Sequence, residues 1–154
     1  MHKRLTQLKA LSGEEWRILL SALTLLPLIA LALHLKGFKW AQSCLQARLQ
    51  ARAKKRAEKI NSSSAPINMQ QAEAQSLARM VTLAANYGPY RANCLKRSLV
   101  TWYLLQDRGI AAQLIIGVDK KMSEFKAHAW VEYAGVPLIE AKDVATRYTT
   151  FGPQ

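Results

Sequence analysis

The sequence has few cysteines, few acidic residues and few histidines. Its 154 residues include two cysteines, three histidines and 10 Asp or Glu residues, against 22 Lys or Arg residues. The two cysteines, Cys44 and Cys94, stand far apart, so they form neither a disulfide framework nor a zinc-ligand cluster. A free thiol suits a reducing compartment, and we therefore expect a cytoplasmic protein.

The shortage of acids gives the chain a net charge of +12, which is unevenly distributed. Residues 1–65 hold 12 Lys or Arg against 3 acids, whereas residues 66–154 hold 10 against 7. Clustered positive charge attracts nucleic acid, anionic lipid and acidic peptides, and its sign alone does not choose among them. No recognised nucleic-acid-binding module accompanies the charge, so we expect no nucleic-acid partner.

A long apolar run without formal charge extends over residues 18–35, between Trp16 and Trp40. It has no small-residue cleavage pattern and therefore does not indicate a secretory signal. As a helix it would be about 27 Å long, against about 30 Å for the hydrocarbon layer of a bilayer. Pro27 and His34 weaken the case for a transmembrane span. A buried helix or one lying on a membrane surface is favoured, and a span stays open.

An amphipathic helix is predicted over residues 40–59, where Lys and Arg occupy most of the remaining positions. Its apolar positions recur every four residues, at Ala41, Leu45 and Leu49. Three serines and Pro66 then interrupt the helical pattern, because proline lacks an amide hydrogen and restricts the residue before it. We therefore expect an apolar and basic helical region over residues 1–65 and a second domain over residues 66–154.

The second domain begins with helices and continues with strands. Apolar residues at Leu77, Met80, Val81 and Ala84 indicate a helix ending near Tyr87, and a second helix begins at Cys94 and ends before Gly109. Three strands are then predicted, over Ala111–Val118, Ala127–Tyr133 and Val136–Ala141, the last two forming a hairpin. Helices followed by antiparallel strands indicate an α+β fold, with helices on one side of a small sheet.

Cys94 is the candidate nucleophile because it starts a helix. A thiol attacks as thiolate, and its unperturbed pKa of about 8.5 leaves it mostly protonated at neutral pH. Free backbone amides and the positive end of the helix dipole favour the anion, and Arg91, Lys96 and Arg97 add the same sign of charge. The same amides can stabilise an oxyanion. Cys44 lies within a helix without such neighbours, so it is interpreted as structural.

The base that activates such a thiol is usually a histidine, and His128 is the candidate. His2 is a terminal residue and His34 ends the apolar run, whereas His128 lies in a predicted strand of the second domain. On the same strand, Trp130 is expected in the core, and Glu132 is expected to be exposed because most glutamates are. The third member should be an acceptor that faces the same side of the sheet as the imidazole.

Glu140 is the candidate acceptor, and its assignment depends on the register of the hairpin. A two-residue Ala134–Gly135 turn would point His128 away from Glu140, because successive side chains of a strand face opposite sides. A three-residue loop over 133–135, with its glycine left-handed, places the two residues directly opposite each other. We predict the three-residue loop. Asp143 is the replacement if this register fails.

Four segments between Asn93 and Glu140 resemble the lasso-peptide biosynthesis B protein family, in its transglutaminase-like leader-peptidase part. The resemblance extends over roughly residues 69–145 and is carried mainly by the first and last segments. The segments are Cys94-Leu-Lys-Arg-Ser-Leu99, Leu105 to Ile110, Leu114-Ile-Ile-Gly-Val118 and Ala127-His-Ala-Trp-Val-Glu132. The resemblance implies a transglutaminase-like, papain-like cysteine-protease core without cofactor or metal.

The resemblance also implies a function and a set of roles. The protein would be a cysteine peptidase that cleaves the leader segment from a ribosomally made precursor peptide, so that a partner cyclase can close a ring on the new amino terminus. Its nucleophile would be Cys94, its base His128 and its third member Glu140, where the family often has aspartate. Some members carry a leader-recognition domain built with strands. Nothing in residues 1–65 indicates strands, so we expect a separate leader-recognition protein.

Two other functions remain open at this stage. An acyl transferase of the transglutaminase type would use the same thioester chemistry and differ only in the acceptor. A non-catalytic adaptor would use its basic first region to associate with a membrane surface through the helix over residues 18–35, and Cys94 would then be inert.

Overall fold

The protein is described by a computed structural model over residues 11–57, 67–119, 126–140 and 144–153. The helices in these ranges are α1 (Gly13–Ala57), α2 (Ile67–Tyr87), α3 (Cys94–Asp107) and the short α4 (Val144–Arg147). The strands are β1 (Ala112–Asp119), β2 (Ala127–Tyr133), β3 (Val136–Pro137) and β4 (Tyr148–Pro153). The three long helices precede the strands, and the short α4 lies between β3 and β4, so the predicted α+β class is confirmed.

The strands form one antiparallel sheet in the order β3-β2-β1-β4. β1 and β2 pair along their length, from Ala112 opposite Tyr133 to Val118 opposite Ala127. Two features differ from the predicted strands. β3 ends at Pro137 instead of continuing to residue 141, and β4 was not predicted.

α1 is the longest helix, and it contains a break at Gly37, where the backbone takes φ 79° and ψ 177°. It starts with a capping box, in which the amide of Glu15 donates to Ser12 Oγ and the amide of Ser12 donates to Glu15 Oε2. Beyond the break, Ala41 and Leu45 are buried as the amphipathic pattern predicted. Side chains from α1, α2 and α3 share one hydrophobic core, and a domain boundary at residue 65 stays a prediction.

α2 and α3 bury the faces that their apolar spacing indicated. Leu77, Met80, Val81 and Ala84 are at most 3% exposed, so the predicted packing face of α2 is confirmed. Gly109 ends α3 with a left-handed φ of 81°, a conformation that glycine adopts without steric cost. Its amide donates to Gln106 O, and the amide of Ile110 donates to Leu105 O. The predicted end of this helix is therefore confirmed.

The two faces of the sheet have different surroundings. On one face, Leu114, Val131 and Tyr133 join the core formed with the helices. On the other face, Ile115 and Trp130 form a small cluster with Val144, and Tyr148 packs against it. His128 alternates with Ala129 along β2, so its side chain belongs to this second face.

Gly117 lies opposite His128 in the sheet, at a point where no side chain fits. A Cβ atom there would approach Tyr148 Cβ to 2.9 Å, Thr149 O to 3.0 Å and the Trp130 ring to 3.2 Å. Two of these contacts involve backbone or a Cβ atom, which cannot move away as a flexible side chain can.

We predict that Gly117→Ala destabilises the protein by about 1–3 kcal/mol, the usual cost of overpacking a filled site. Urea unfolding followed by circular dichroism measures it. Gly13→Ala is the matched control, because a Cβ atom at Gly13 meets nothing within 4 Å. Equal unfolding midpoints for Gly117→Ala and the unmodified protein would contradict the packing described here.

Candidate active site

The thiol of Cys94 lies at the first residue of α3, as predicted. Asn93 precedes it with an extended backbone, and its side-chain oxygen accepts a hydrogen bond of 3.2 Å from the amide of Lys96. This N-cap satisfies one of the first amides of the helix. The amides of Cys94 and Leu95 belong to the first turn and have no partner within the helix. They and the helix dipole present positive charge near the sulfur atom.

α3 is held against an open edge of β2. Because β3 has only two residues, its pairing with β2 ends where Glu132 lies opposite Pro137. One further backbone hydrogen bond follows, in which the amide of Leu138 donates to Val131 O. The carbonyl of Ala129 points to the same edge as that of Val131, since alternate carbonyls share an edge. The hydroxyl of Ser98 donates to the Ala129 carbonyl at 2.8 Å and thus replaces a strand partner.

This bond places the start of α3 beside the strand that carries His128. Ser98 is 4% exposed, so its hydroxyl is a buried anchor. Cys94 and Ser98 are four residues apart and lie on the same face of the helix. The first turn of α3 is therefore oriented by the contact between helix and strand.

Glu140 contacts His128, as predicted, with 3.5 Å between His128 Nε2 and Glu140 Oε1. Both side chains are about a quarter exposed or less, at 21% and 24%. Since Nε2 faces the carboxylate, Nδ1 is the imidazole nitrogen that remains for a thiol.

The register predicted for the hairpin was wrong, although the contact that it was meant to explain is present. Tyr133 pairs with Val136 across a two-residue turn, in which Ala134 has φ 50° and Gly135 has φ 75°. Two left-handed residues make a type I′ turn, whose twist matches that of the flanking strands, and this outweighs the modest strain at Ala134. Glu140 still reaches the imidazole because strand pairing ends at Pro137, which frees its side chain from the alternation of the strand.

Arg97 is the second partner of Glu140, a pairing that was not predicted from the sequence, although the charge of Arg97 was expected near Cys94. Its Nη2 atom forms a hydrogen-bonded ion pair with Glu140 Oε1, the same oxygen that faces His128. Its side chain is 21% exposed, so this ion pair is partly shielded from water. Arg97 stands three residues after Cys94, and this helical spacing could have placed it on the same side of the helix as Cys94.

Aromatic rings surround the imidazole on the second face of the sheet. His128 stacks on Tyr148 at 5.3 Å and on Trp130 at 6.0 Å between ring centroids. Trp130 is 1% exposed, which confirms its predicted place in the core, and its indole N–H donates to Glu132 Oε1. Glu132 is half-buried, so its predicted exposure was wrong. Tyr148 comes from β4, the strand that was not predicted.

The sulfur atom of Cys94 is not hydrogen-bonded to His128 in the described part of the chain. The structure thus brings the imidazole and the carboxylate together and leaves the joint action of Cys94, His128 and Glu140 as a prediction. Cys44 is exposed on α1. Asp143, the alternative acceptor, lies outside the described residues. Among the residues that the structure describes, no group of three or more His, Cys, Asp or Glu side chains could hold a metal ion.

A comparison with known families agrees with this arrangement. The arrangement has a cysteine at the start of a helix, a histidine that contacts a glutamate, and helices packed on an antiparallel sheet. A profile of the transglutaminase-like superfamily matches residues 26–152. The chain belongs to the transglutaminase-like superfamily. No curated protein and no solved structure matches it.

Membership of this superfamily limits the reactions that the site is expected to catalyse. The transglutaminase-like superfamily includes cysteine peptidases and acyltransferases, and its members are usually catalytic. Both reactions proceed through a thioester on a cysteine. Of the two cysteines, Cys94 lies at the start of a helix, and the adjoining strand carries His128, which Glu140 contacts from the segment after β3.

We predict that Ser98→Ala destabilises the protein by about 1–3 kcal/mol, because it leaves the buried carbonyl of Ala129 without a partner. Thermal and urea unfolding measure the loss. Ser43→Ala is the matched control, since the hydroxyl of Ser43 is exposed and bonds only to Lys39 O within its own helix. Equal effects of the two substitutions would show that the hydroxyl does not anchor α3 on β2.

Proposed function

We propose that this member of the transglutaminase-like superfamily is a cysteine peptidase that removes the leader segment from a ribosomally synthesised lasso-peptide precursor. It would act with a separate leader-recognition protein and a cyclase. The observation that carries the reaction class is the contact of Glu140 Oε1 with Nε2 of His128, a residue of the strand that adjoins the helix start of Cys94. The resemblance of the Cys94–Leu99 and Ala127–Glu132 segments to the lasso-peptide family supports the substrate class.

In the proposed first step, the thiol of Cys94 gives its proton to Nδ1 of His128, and the sulfur attacks the carbonyl carbon of the scissile peptide bond. Glu140 accepts a hydrogen bond from Nε2–H and stabilises the imidazolium that forms. The negative oxygen of the tetrahedral intermediate lies near the amides of Cys94 and Leu95, which have no partner within the helix.

The intermediate then collapses with cleavage of the carbon–nitrogen bond. His128 returns its proton to the leaving amine, which becomes the new amino terminus of the core peptide, and the leader stays attached to Cys94 as a thioester. His128 next removes a proton from water, which attacks the thioester and releases the leader carboxylate and the thiol. These steps consume one water molecule and require no cofactor.

The proposal requires the sulfur to move towards Nδ1 of His128. A rotation about χ1 of Cys94 changes the direction of the thiol without moving the helix. Hydrogen bonds between a nucleophile and its base are often long in the free enzyme and tighten when substrate binds. In this proposal, a papain-like core is formed by α3 with the nucleophile, by β2 with the base and by the segment after β3 with its acceptor.

Arg97 acts as a positioning residue in this proposal. Its ion pair fixes Glu140 Oε1 at a point between α3 and β2, so the carboxylate has a defined direction when the imidazole becomes charged. Lysine at position 97 would keep the positive charge but lose the planar guanidinium group that orients the carboxylate of Glu140.

Cleavage of purified precursor in the presence of its leader-recognition protein tests the proposed activity. Mass spectrometry should show free leader and free core peptide. We predict that Cys94→Ala lowers the rate on the order of 10³-fold or more with the fold retained, as for loss of a catalytic nucleophile. Cys44→Ala is the matched control and should retain full activity, because that thiol is exposed on α1.

Other outcomes of the same assay would contradict the proposal. A cross-linked product without cleavage would favour an acyl transferase, in which an amine replaces water as the acceptor. Unchanged cleavage by Cys94→Ala would exclude the proposed nucleophile. Efficient and sequence-selective cleavage without the recognition protein would exclude the need for that partner.

Alkylation of Cys94 by iodoacetamide tests the activation of the thiol without any substrate. In a Cys44→Ala background, so that one thiol reacts, we predict that His128→Ala lowers the rate at pH 7 about tenfold, because the imidazole favours the thiolate. Glu140→Gln should give an intermediate rate, since it keeps the shape of the side chain and removes its charge. Equal rates for His128→Ala and its parent at every pH from about 6 to about 9 would rule out an ion pair between the thiol and the imidazole.

A further inference from the structure

The first half of α1 exposes a row of large apolar side chains. We define the apolar face as the five residues Trp16, Leu20, Leu28, Leu31 and Leu35, which are 42%, 56%, 58%, 56% and 65% exposed. Their spacing of three, four and eight residues puts them on one side of the helix. The opposite side holds Ile18, Ala22, Leu26 and Ile29, which are buried in the core.

The hydroxyl groups in this part of α1 are already satisfied by the helix. Ser21 Oγ donates to Arg17 O at 2.8 Å, and Thr24 Oγ1 donates to Ser21 O at 2.9 Å. Residues 18–35 carry no formal charge. Water can therefore leave the apolar side chains without stranding either hydroxyl or any charged group of this segment. The exposed imidazole of His34 lies one residue before the end of the apolar face, where it can keep its contact with water.

Tryptophan marks both ends of the apolar face, and positive charge is concentrated at its second end. Arg17 is exposed at the first end, beside Glu14 and Glu15, whereas Lys36 and Lys39 are exposed at the second end without an acidic neighbour in sequence. Trp16 begins the face, and Trp40, 48% exposed, follows the break at Gly37. Tryptophan favours the boundary between lipid and water, and Lys and Arg favour anionic headgroups. Residues 1–65 as a whole hold 12 Lys or Arg against 3 acids, so their charge complements an anionic surface.

The packing of α1 favours a helix that lies on the membrane over one that crosses it. By length and composition the helix could cross, with a mean hydropathy of 2.3 in its most apolar window. However, 28% of that window is buried within the protein, including Leu26 at 1% and Ile29 at 4% exposure. A transmembrane position would remove this side of the helix from the core that it forms with α2 and α3.

We propose that α1 docks the protein on the surface of an anionic lipid bilayer. The apolar face enters the boundary between headgroups and acyl chains, and Arg17, Lys36 and Lys39 contact the headgroups. The opposite side of α1 stays packed against α2 and α3 in the hydrophobic core. This inference is independent of the reaction at Cys94, because it uses none of the residues of the candidate active site.

Flotation of the full chain with lipid vesicles tests the docking. The chain should float with vesicles of phosphatidylcholine and phosphatidylglycerol, more weakly with phosphatidylcholine alone, and less as salt is raised. The double variant Leu28→Gln/Leu31→Gln should lower binding at least about tenfold, because it removes apolar contact with the bilayer. Lys36→Gln/Lys39→Gln should lower binding to anionic vesicles about tenfold and binding to neutral vesicles little.

Met69→Gln is the matched control, because Met69 is a 65% exposed apolar residue on α2, outside the apolar face. Its binding should equal that of the unmodified chain. Since the substituted side chains are exposed, thermal unfolding should stay unchanged in every variant and thereby separate lost binding from lost folding.

Tryptophan fluorescence locates the contact. Trp16 and Trp40 are exposed, whereas Trp102 and Trp130 are 5% and 1% exposed. Brominated lipid should quench the emission of the exposed pair, and Trp16→Phe/Trp40→Phe should abolish the quenching. Failure to float with anionic vesicles, or unchanged flotation of the leucine variant, would overturn the proposal. The proposal would also be overturned if the chain bound no vesicles and light scattering showed a dimer that the leucine variant does not form.

Discussion

The hydrogen bond from the Ser98 hydroxyl to the Ala129 carbonyl determines how the two halves of the candidate site meet. β3 is too short to cover the edge of β2, and an uncovered carbonyl in the interior would be costly. A buried hydroxyl one turn into α3 supplies the missing donor. The helix that starts with Cys94 therefore lies against the strand that carries His128, and the short β3 is a requirement of this arrangement.

Glu140 connects the same two elements electrostatically. One carboxylate oxygen faces both His128 Nε2 and the guanidinium of Arg97, so the acid is shared between strand and helix. The stacking of His128 on Tyr148 and Trp130 fixes the plane of the imidazole from the other side. These contacts orient the imidazole of His128, and membership of the transglutaminase-like superfamily is the reason to propose it as a base for a cysteine.

Local patterns predicted the features that local interactions determine. The start of α3 at Cys94, its end at Gly109 and the bounds of β2 follow from capping, glycine and apolar spacing, and all are present. The hairpin register was wrong because the twist of the strands outweighed the strain of a left-handed Ala134. β4 and the partnership of Arg97 with Glu140 were not predicted. Both depend on contacts between residues far apart in the chain, which periodicity does not report.

The central claim is that Cys94 forms a covalent intermediate with the help of His128. Acid quenching during turnover of the proposed precursor with the proposed recognition protein, followed by peptide mass spectrometry, tests it most directly. The account predicts a thioester of the leader on the peptide that contains Cys94, and no such adduct in His128→Ala. Continued cleavage with no adduct at Cys94, or with the adduct on Cys44, would contradict it.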